Sequence, residues 1–158
     1  MRKGEKWIFA VMGISALLVA TVNYLRDRDQ KPDPGIPFYT TLSEEDLTRA
    51  AALVKRENCR DCHSLWTIRN PLQHVPAPIL DGMGSLHDEA WFYRYFSAQN
   101  PQAILPSRLK QEFRMPSYAA LPESERRLLA EYMASLKVKD WYLDKLKKDE
   151  HLALTGEN

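Results

Sequence analysis

A chain of 158 residues, 44% hydrophobic and 27% charged, has room for one small folded domain beyond any membrane segment. Its 22 basic and 21 acidic side chains leave a net charge of +1, which argues against nucleic acid as a partner, because phosphate binding needs a concentrated basic face. No internal repeat or low-complexity segment interrupts it.

Residues 7–25 (WIFAVMGISALLVATVNYL) are an uncharged, mostly apolar run. Its length is close to the ~20 residues that an α-helix needs to cross a hydrocarbon core. Arg2, Lys3 and Lys6 precede it, and the nearest cleavage-like site, Leu18-Val19-Ala20, puts a bulky Leu where a small residue is wanted. Residues 1–25 are therefore predicted to be an uncleaved signal anchor, a cleaved signal peptide being the alternative. Arg26, Arg28 and Lys31 balance the basic residues before the run, so charge alone does not orient it. Asp33-Pro34-Gly35-Ile36-Pro37, following Lys31-Pro32, combines turn formers with residues that cannot continue a helix, and 26–41 reads as a linker.

Helical periodicity takes over next. Ser43 followed by Asp46 resembles a capping box, and Leu47, Ala50, Ala51 and Val54 recur at helical spacing toward Cys59. Cys59-Arg60-Asp61-Cys62-His63 then spells C-x-x-C-H, the attachment sequence of a c-type haem, and holds the only two cysteines. Two thiols one helical turn apart suit addition to the two vinyl groups of a porphyrin, with His63 under the iron as proximal ligand. The rivals are a zinc site, a disulfide and a thioredoxin-like redox pair. Zinc would be short of a fourth ligand, and the redox pair lacks a βαβ pattern and leaves His63 unexplained. Covalent haem attachment takes place outside the bacterial cytoplasm. The motif thus orients the anchor, with the N-terminus inside and the haem domain on the periplasmic face of the inner membrane.

A second helix is predicted over 88–98, with Trp91, Phe92 and Tyr95 facing inward and Asn100-Pro101 stopping it. A third begins at Pro122-Glu123-Ser124-Glu125; Leu128, Leu129, Tyr132, Met133 and Leu136 form its apolar stripe, and the two Glu suit its N-terminal dipole. No alternation of period two appears, so the predicted class is mainly α. Residues 138–158 form a C-terminal extension, in which Val138, Trp141, Tyr142 and Leu146 would line one face of a further helix. Either a partner subunit or the chain's own domain would cover that face.

Laid out this way, residues 42–137 resemble a class I cytochrome c. Pro78-Ile79-Leu80-Asp81-Gly82 looks like the family's Gly-Pro-x-Leu-x-Gly turn, with Ala77 in place of the first glycine. The resemblance implies that the Pro78 carbonyl accepts a hydrogen bond from the proximal imidazole, fixing the ring and raising its basicity. Trp91-Phe92-Tyr93-Arg94-Tyr95-Phe96 looks like the family's middle helix, and the stretch from Asn100 to Pro106 like its Asn-Pro segment. Arg114-Met115-Pro116-Ser117-Tyr118 resembles the Met-Pro loop that supplies the distal ligand, and Tyr132 falls where the family's last helix carries a packed aromatic residue. Met115 is accordingly the expected second axial ligand. Met83, in a turn near the proximal side, Met133, in the helical stripe, and the remaining histidines are its competitors. Of those, His74, His87 and His151 read as surface histidines. The haem propionates need donors or cations; the resemblance points to Trp91 for a hydrogen bond, with a core aromatic as its other reading, while Arg108, Lys110 and Arg114 flank the distal loop. Residues 107–113 look like an insertion relative to compact family members.

Anchor, single haem domain, Met-Pro loop and Trp-containing tail together resemble the small cytochrome c subunits of haem-copper oxidases and nitric oxide reductases. The implied function is single-electron transfer as a non-catalytic subunit of a respiratory complex, with membrane and redox proteins as partners and no small-molecule substrate. The alternatives are a tethered shuttle between a quinol-oxidising complex and a terminal reductase, and a haem-based gas sensor or peroxidase with an open sixth position.

Overall fold

The computed structural model describes residues 3–29, 34–71, 75 and 77–157. It divides into a unit that ends at Gly35 and a second, Ile36–Asn158. The class is mainly α: among the described residues there are five α-helices and one pair of three-residue strands.

Helix α1 (Lys3–Asp29) makes up the first unit, and its stretch Gly4–Arg26 is long and apolar enough to span a membrane. Apolar side chains lie all around it, with Trp7 74% and Leu17 69% exposed, which is the distribution expected of a helix solvated by lipid rather than by one protein face. The Thr21 hydroxyl donates to the Leu17 carbonyl one turn back, at 2.8 Å, so it needs no partner outside the helix. The helix overruns the expected end at residue 25. Of the expected linker, residues 30–33 lie outside the described residues, 34–37 carry no regular structure, and 38–40 form a short strand.

In the second unit, helix α2 (Glu44–Arg56) starts where the Ser43 hydroxyl accepts from the Asp46 amide at 3.2 Å. Three acidic residues fill its first turn and Lys55 and Arg56 its last, both favourable to the helix dipole. It stops because Asn58 takes a left-handed φ of 55°, which Asn tolerates better than most residues. Helix α3 (Glu89–Ser97) is capped by the Asp88 carboxylate, 2.7 Å from the Trp91 amide, and buries Phe92, Tyr95 and Phe96. Helix α4 (Glu123–Ser135) packs on both α2 and α3, burying Leu129, Ala130, Tyr132 and Met133. An Arg56–Glu125 fork, with contacts of 2.9 and 2.6 Å, joins the end of α2 to the start of α4.

Helix α4 runs straight into strand β2 (Leu136–Val138), which pairs antiparallel with β1 (Phe38–Thr40) in the register Phe38↔Val138. Sequence periodicity predicts no strand, and this pair is the exception. Three residues per strand are too few to show an alternation, and the partners meet only through the fold. The Thr40 and Ser135 hydroxyls lie 2.9 Å apart, and the Thr41 amide donates to the Ser135 carbonyl at 3.2 Å. The end of α4 also lies directly on Gly84, where a Cβ would fall 2.1 Å from the Ala134 carbonyl oxygen.

The C-terminal extension forms helix α5 (Asp140–Thr155), which folds onto its own unit. Leu146, 7% exposed, covers Gly82, and Tyr142 meets Phe38 edge-on at 5.3 Å. Glu150 reaches His87 at 2.7 Å. The four apolar residues expected on one helical face thus separate: Val138 belongs to β2, Leu146 is buried, Tyr142 is half-buried and Trp141 remains 50% exposed.

Replacing Leu146 with Ala should cost about 2–5 kcal/mol, since a buried Leu loses both its transfer energy and its packing. Gly84→Ala should cost about 1–3 kcal/mol or more, because backbone rather than a flexible side chain blocks the new methyl group. Denaturant melts of the two variants check both values, and an unchanged midpoint for Leu146→Ala would place α5 off the domain.

Candidate functional site

The C-x-x-C-H segment begins at the break that ends α2. Cys59–Asp61 form one tight turn, in which the His63 amide donates to the Cys59 carbonyl at 3.0 Å, so the two cysteines and the histidine are wound into a single compact coil. Both cysteines are half-buried thiols rather than a disulfide. Burial pushes the Cys59 thiol above its ordinary value near 9, partly opposed by a hydrogen bond from Tyr118.

His63 is held from behind. Its Nδ1 lies 2.7 Å from the Pro78 carbonyl oxygen. A carbonyl only accepts, so Nδ1 carries the proton and Nε2 keeps its lone pair. Burial lowers the His63 pKa below the usual histidine value, and the Pro78 bond opposes that only in part. The imidazole is therefore neutral at physiological pH with one fixed tautomer, the form that ligates a metal.

The Pro78 contact belongs to a longer seam. The Leu80 amide donates to the Ser64 carbonyl at 3.0 Å. Farther along, Leu65 and Ile68 exchange backbone hydrogen bonds of 3.2 and 3.1 Å around a turn whose central residues, Trp66 and Thr67, have φ of 54° and 60°. Neither residue favours that conformation. The turn is held by Asp81, whose Oδ1 accepts from the Trp66 amide at 2.6 Å and whose Oδ2 accepts from the Thr67 amide at 3.0 Å. Asp81 is 1% exposed. The Tyr132 hydroxyl sits at the same place: burial raises its pKa, a contact with Trp66 opposes that, and the Asp81 charge adds to it.

Met115 lies in the loop after a short turn at Gln111–Phe113, half-buried against the core. That loop is tied down along its length. Gln102 Nε2 donates to the Met115 carbonyl at 2.9 Å, the Ser117 hydroxyl to the Ala98 carbonyl at 2.8 Å, and Arg126 Nη1 to the Ala119 carbonyl at 2.6 Å. Tyr118 brings the loop close to Cys59, and burial raises the Tyr118 pKa well above its ordinary value, with the neighbouring Cys59 adding to it. Of the competing methionines, Met133 is buried in the α4 core and Met83 starts the turn Met83–Ser85.

Trp91 packs between two rings of its own helical region, His87 at 3.9 Å and Tyr95 at 5.2 Å, both nearly parallel to it. His87 is engaged with Glu150, His151 is exposed on α5, and His74 lies outside the described residues. The Arg108 guanidinium lies against Gly156 at the end of α5, where a cation suits the helix C-terminus. Lys110 and Arg114 are exposed, and Arg114 Nε donates to the Leu109 carbonyl at 2.8 Å. Two residues at the site, Asp81 and Tyr118, carry no role in the sequence reading. An aspartate between Leu80 and Gly82 reads as surface, because lone carboxylates are rarely buried.

Among the described residues, no three His, Cys, Asp or Glu side chains gather as a metal site. A metal held by protein ligands alone needs such a set, whereas a group that brings its own equatorial nitrogens needs only axial donors.

In the chain with both cysteines unmodified, the raised Cys59 thiol should alkylate slowly at pH 9, where an ordinary thiol is half ionised, and react freely only at higher pH. Peptide mapping after pulses of iodoacetamide across pH 7–11 reads this directly, and half-maximal labelling at or below pH 9 would contradict it.

The chain matches no family model, and no curated protein or solved structure is similar to it.

Proposed function

We propose that the chain is a membrane-anchored monohaem cytochrome c of class I that receives and donates single electrons at the periplasmic face of the inner membrane, as a non-catalytic subunit of a respiratory complex. The observation that carries this reading is the neutral His63, fixed by the Pro78 carbonyl with Nε2 as its donor atom, in the same coil as the thiols of Cys59 and Cys62. These residues fit haem c. Cys59 and Cys62 would hold the group by thioether bonds, and His63 would ligate from the proximal side. Met115, in its tethered loop, would supply the thioether of the sixth position and keep small ligands out. Bound haem supplies a one-electron iron couple, and Met ligation favours its reduced state.

Helix α1 supports the anchor, and the export that haem attachment requires would put the second unit outside the cytoplasm. A second reading, a tethered shuttle with transient contacts only, gains support from α5. The apolar residues that would most readily hold a permanent partner, Leu146 and Tyr142, pack on the chain's own unit. Purification in mild detergent, with haems and co-purifying subunits counted, separates the two.

Expression with the haem-attachment machinery should yield one covalent haem per chain. Replacing Met115 with Ala should then abolish the weak far-red sulfur-to-iron band and allow carbon monoxide to bind the reduced protein, with the haem still attached. If Met83→Ala does this and Met115→Ala does not, the distal ligand is Met83.

The mature protein should retain residues 1–25. Intact mass of the membrane-extracted protein decides this, and a salt-released species beginning near Thr21 would show a cleaved signal.

A further inference from the structure

Asp81 stands out in the second unit as the carboxylate buried to 1% exposure. Among the described residues no cation forms an ion pair with it, and its partners are the backbone amides of Trp66 and Thr67. Burying a charge without a counter-charge is costly. Asparagine would be the cheaper residue at such a depth, but two N–H groups converge here on two oxygens, and an amide would present its NH2 to one of them. The site therefore calls for a carboxylate. It also sits at the far end of the seam whose near end is the His63–Pro78 bond: His63 to Pro78, Ser64 to Leu80, and Trp66 and Thr67 to Asp81 run in register.

We propose that Asp81 is the positioning residue of the His63 ligand. By holding the left-handed Trp66-Thr67 turn it keeps the seam closed and the Pro78 carbonyl on the imidazole, and its uncompensated buried charge lowers the reduction potential of the iron. The proposal rests on the cytochrome c function. The two contributions act in one direction. A carbonyl held firmly on Nδ1–H makes His63 a stronger donor, and a buried negative charge stabilises the ferric state. Losing either raises the potential.

The test is Asp81→Asn in the full-length chain, expressed with the haem-attachment machinery and compared with wild type by redox titration and by thermal melting. The variant should load haem, melt lower and titrate at a higher potential. Its redox equilibrium should move about three- to tenfold toward the reduced form, roughly 30–60 mV at 59 mV per tenfold for one electron. A second variant, Asp81→Asn with Thr67→Gly, lets the turn hold its positive φ without the carboxylate. It should regain much of the melting temperature while the potential falls only part of the way back, the remainder being the contribution of the lost charge. A loaded Asp81→Asn protein that titrates like wild type would overturn the proposal. A double variant whose potential returns to the wild-type value along with its stability would overturn the contribution of the charge and leave only the positioning of His63 through the turn. If Asp81→Asn alone does not accumulate, the double variant carries the same measurement. A wild-type chain that takes up no covalent haem would instead overturn the cytochrome c function, and this proposal with it.

Discussion

A carboxylate removed from water must find donors, and Asp81 finds them in the amides of two residues that would not otherwise adopt their backbone conformation. The exchange works in both directions. The turn at Trp66 and Thr67 supplies two parallel N–H groups, and the carboxylate offsets the conformational cost of placing a tryptophan and a threonine at positive φ. The His63 side of the candidate site runs along that closure. Residues 78–81 are drawn along 63–68, the Leu80 amide meets Ser64, and the Pro78 carbonyl meets the imidazole. His63 then has one tautomer and one orientation.

The rest of the second unit is organised by the C-terminal end of α4. There Ser135 bonds to Thr40, Leu136 begins β2, and the helix lies on the bare backbone of Gly84. Lys137 Nζ donates to the Gly84 carbonyl, and the Val138 amide to the Ser85 hydroxyl, so the turn beyond Asp81 is fastened to the same point. Helix α5 completes the arrangement by laying Leu146 over Gly82. The proximal loop is thus bounded by its own seam on one side and by α4, β2 and α5 on the other. The Met115 loop is fastened separately, to Ala98 and Gln102 before α4 and to Arg126 within it. Tyr118 brings that loop close to Cys59.

Helix α1 obeys a different constraint. Its apolar side chains lie exposed all round, and covering that surface in water would require a partner on every side. A bilayer would provide that cover without specific contacts, since a helix satisfies its own backbone there.

Local chemistry was legible in the chain. Ser43 marked a helix start because a cap acts within three residues, Asn100-Pro101 marked a stop because proline cannot continue a helix, and the C-x-x-C-H spacing put Cys59, Cys62 and His63 within one turn of each other. The apolar run marked α1 because length and hydropathy suffice for a span. Tertiary structure alone decided the rest, since each of those features depends on what lies opposite. Strands β1 and β2 meet across almost the whole unit and are too short to show alternation. Trp141 and Leu146 share one helix and one chemical character, yet only Leu146 faces a surface that fits it. Asp81 carries the residue type least expected inside, and it is buried because two amides, presented by a turn more than a dozen residues earlier, converge on its oxygens.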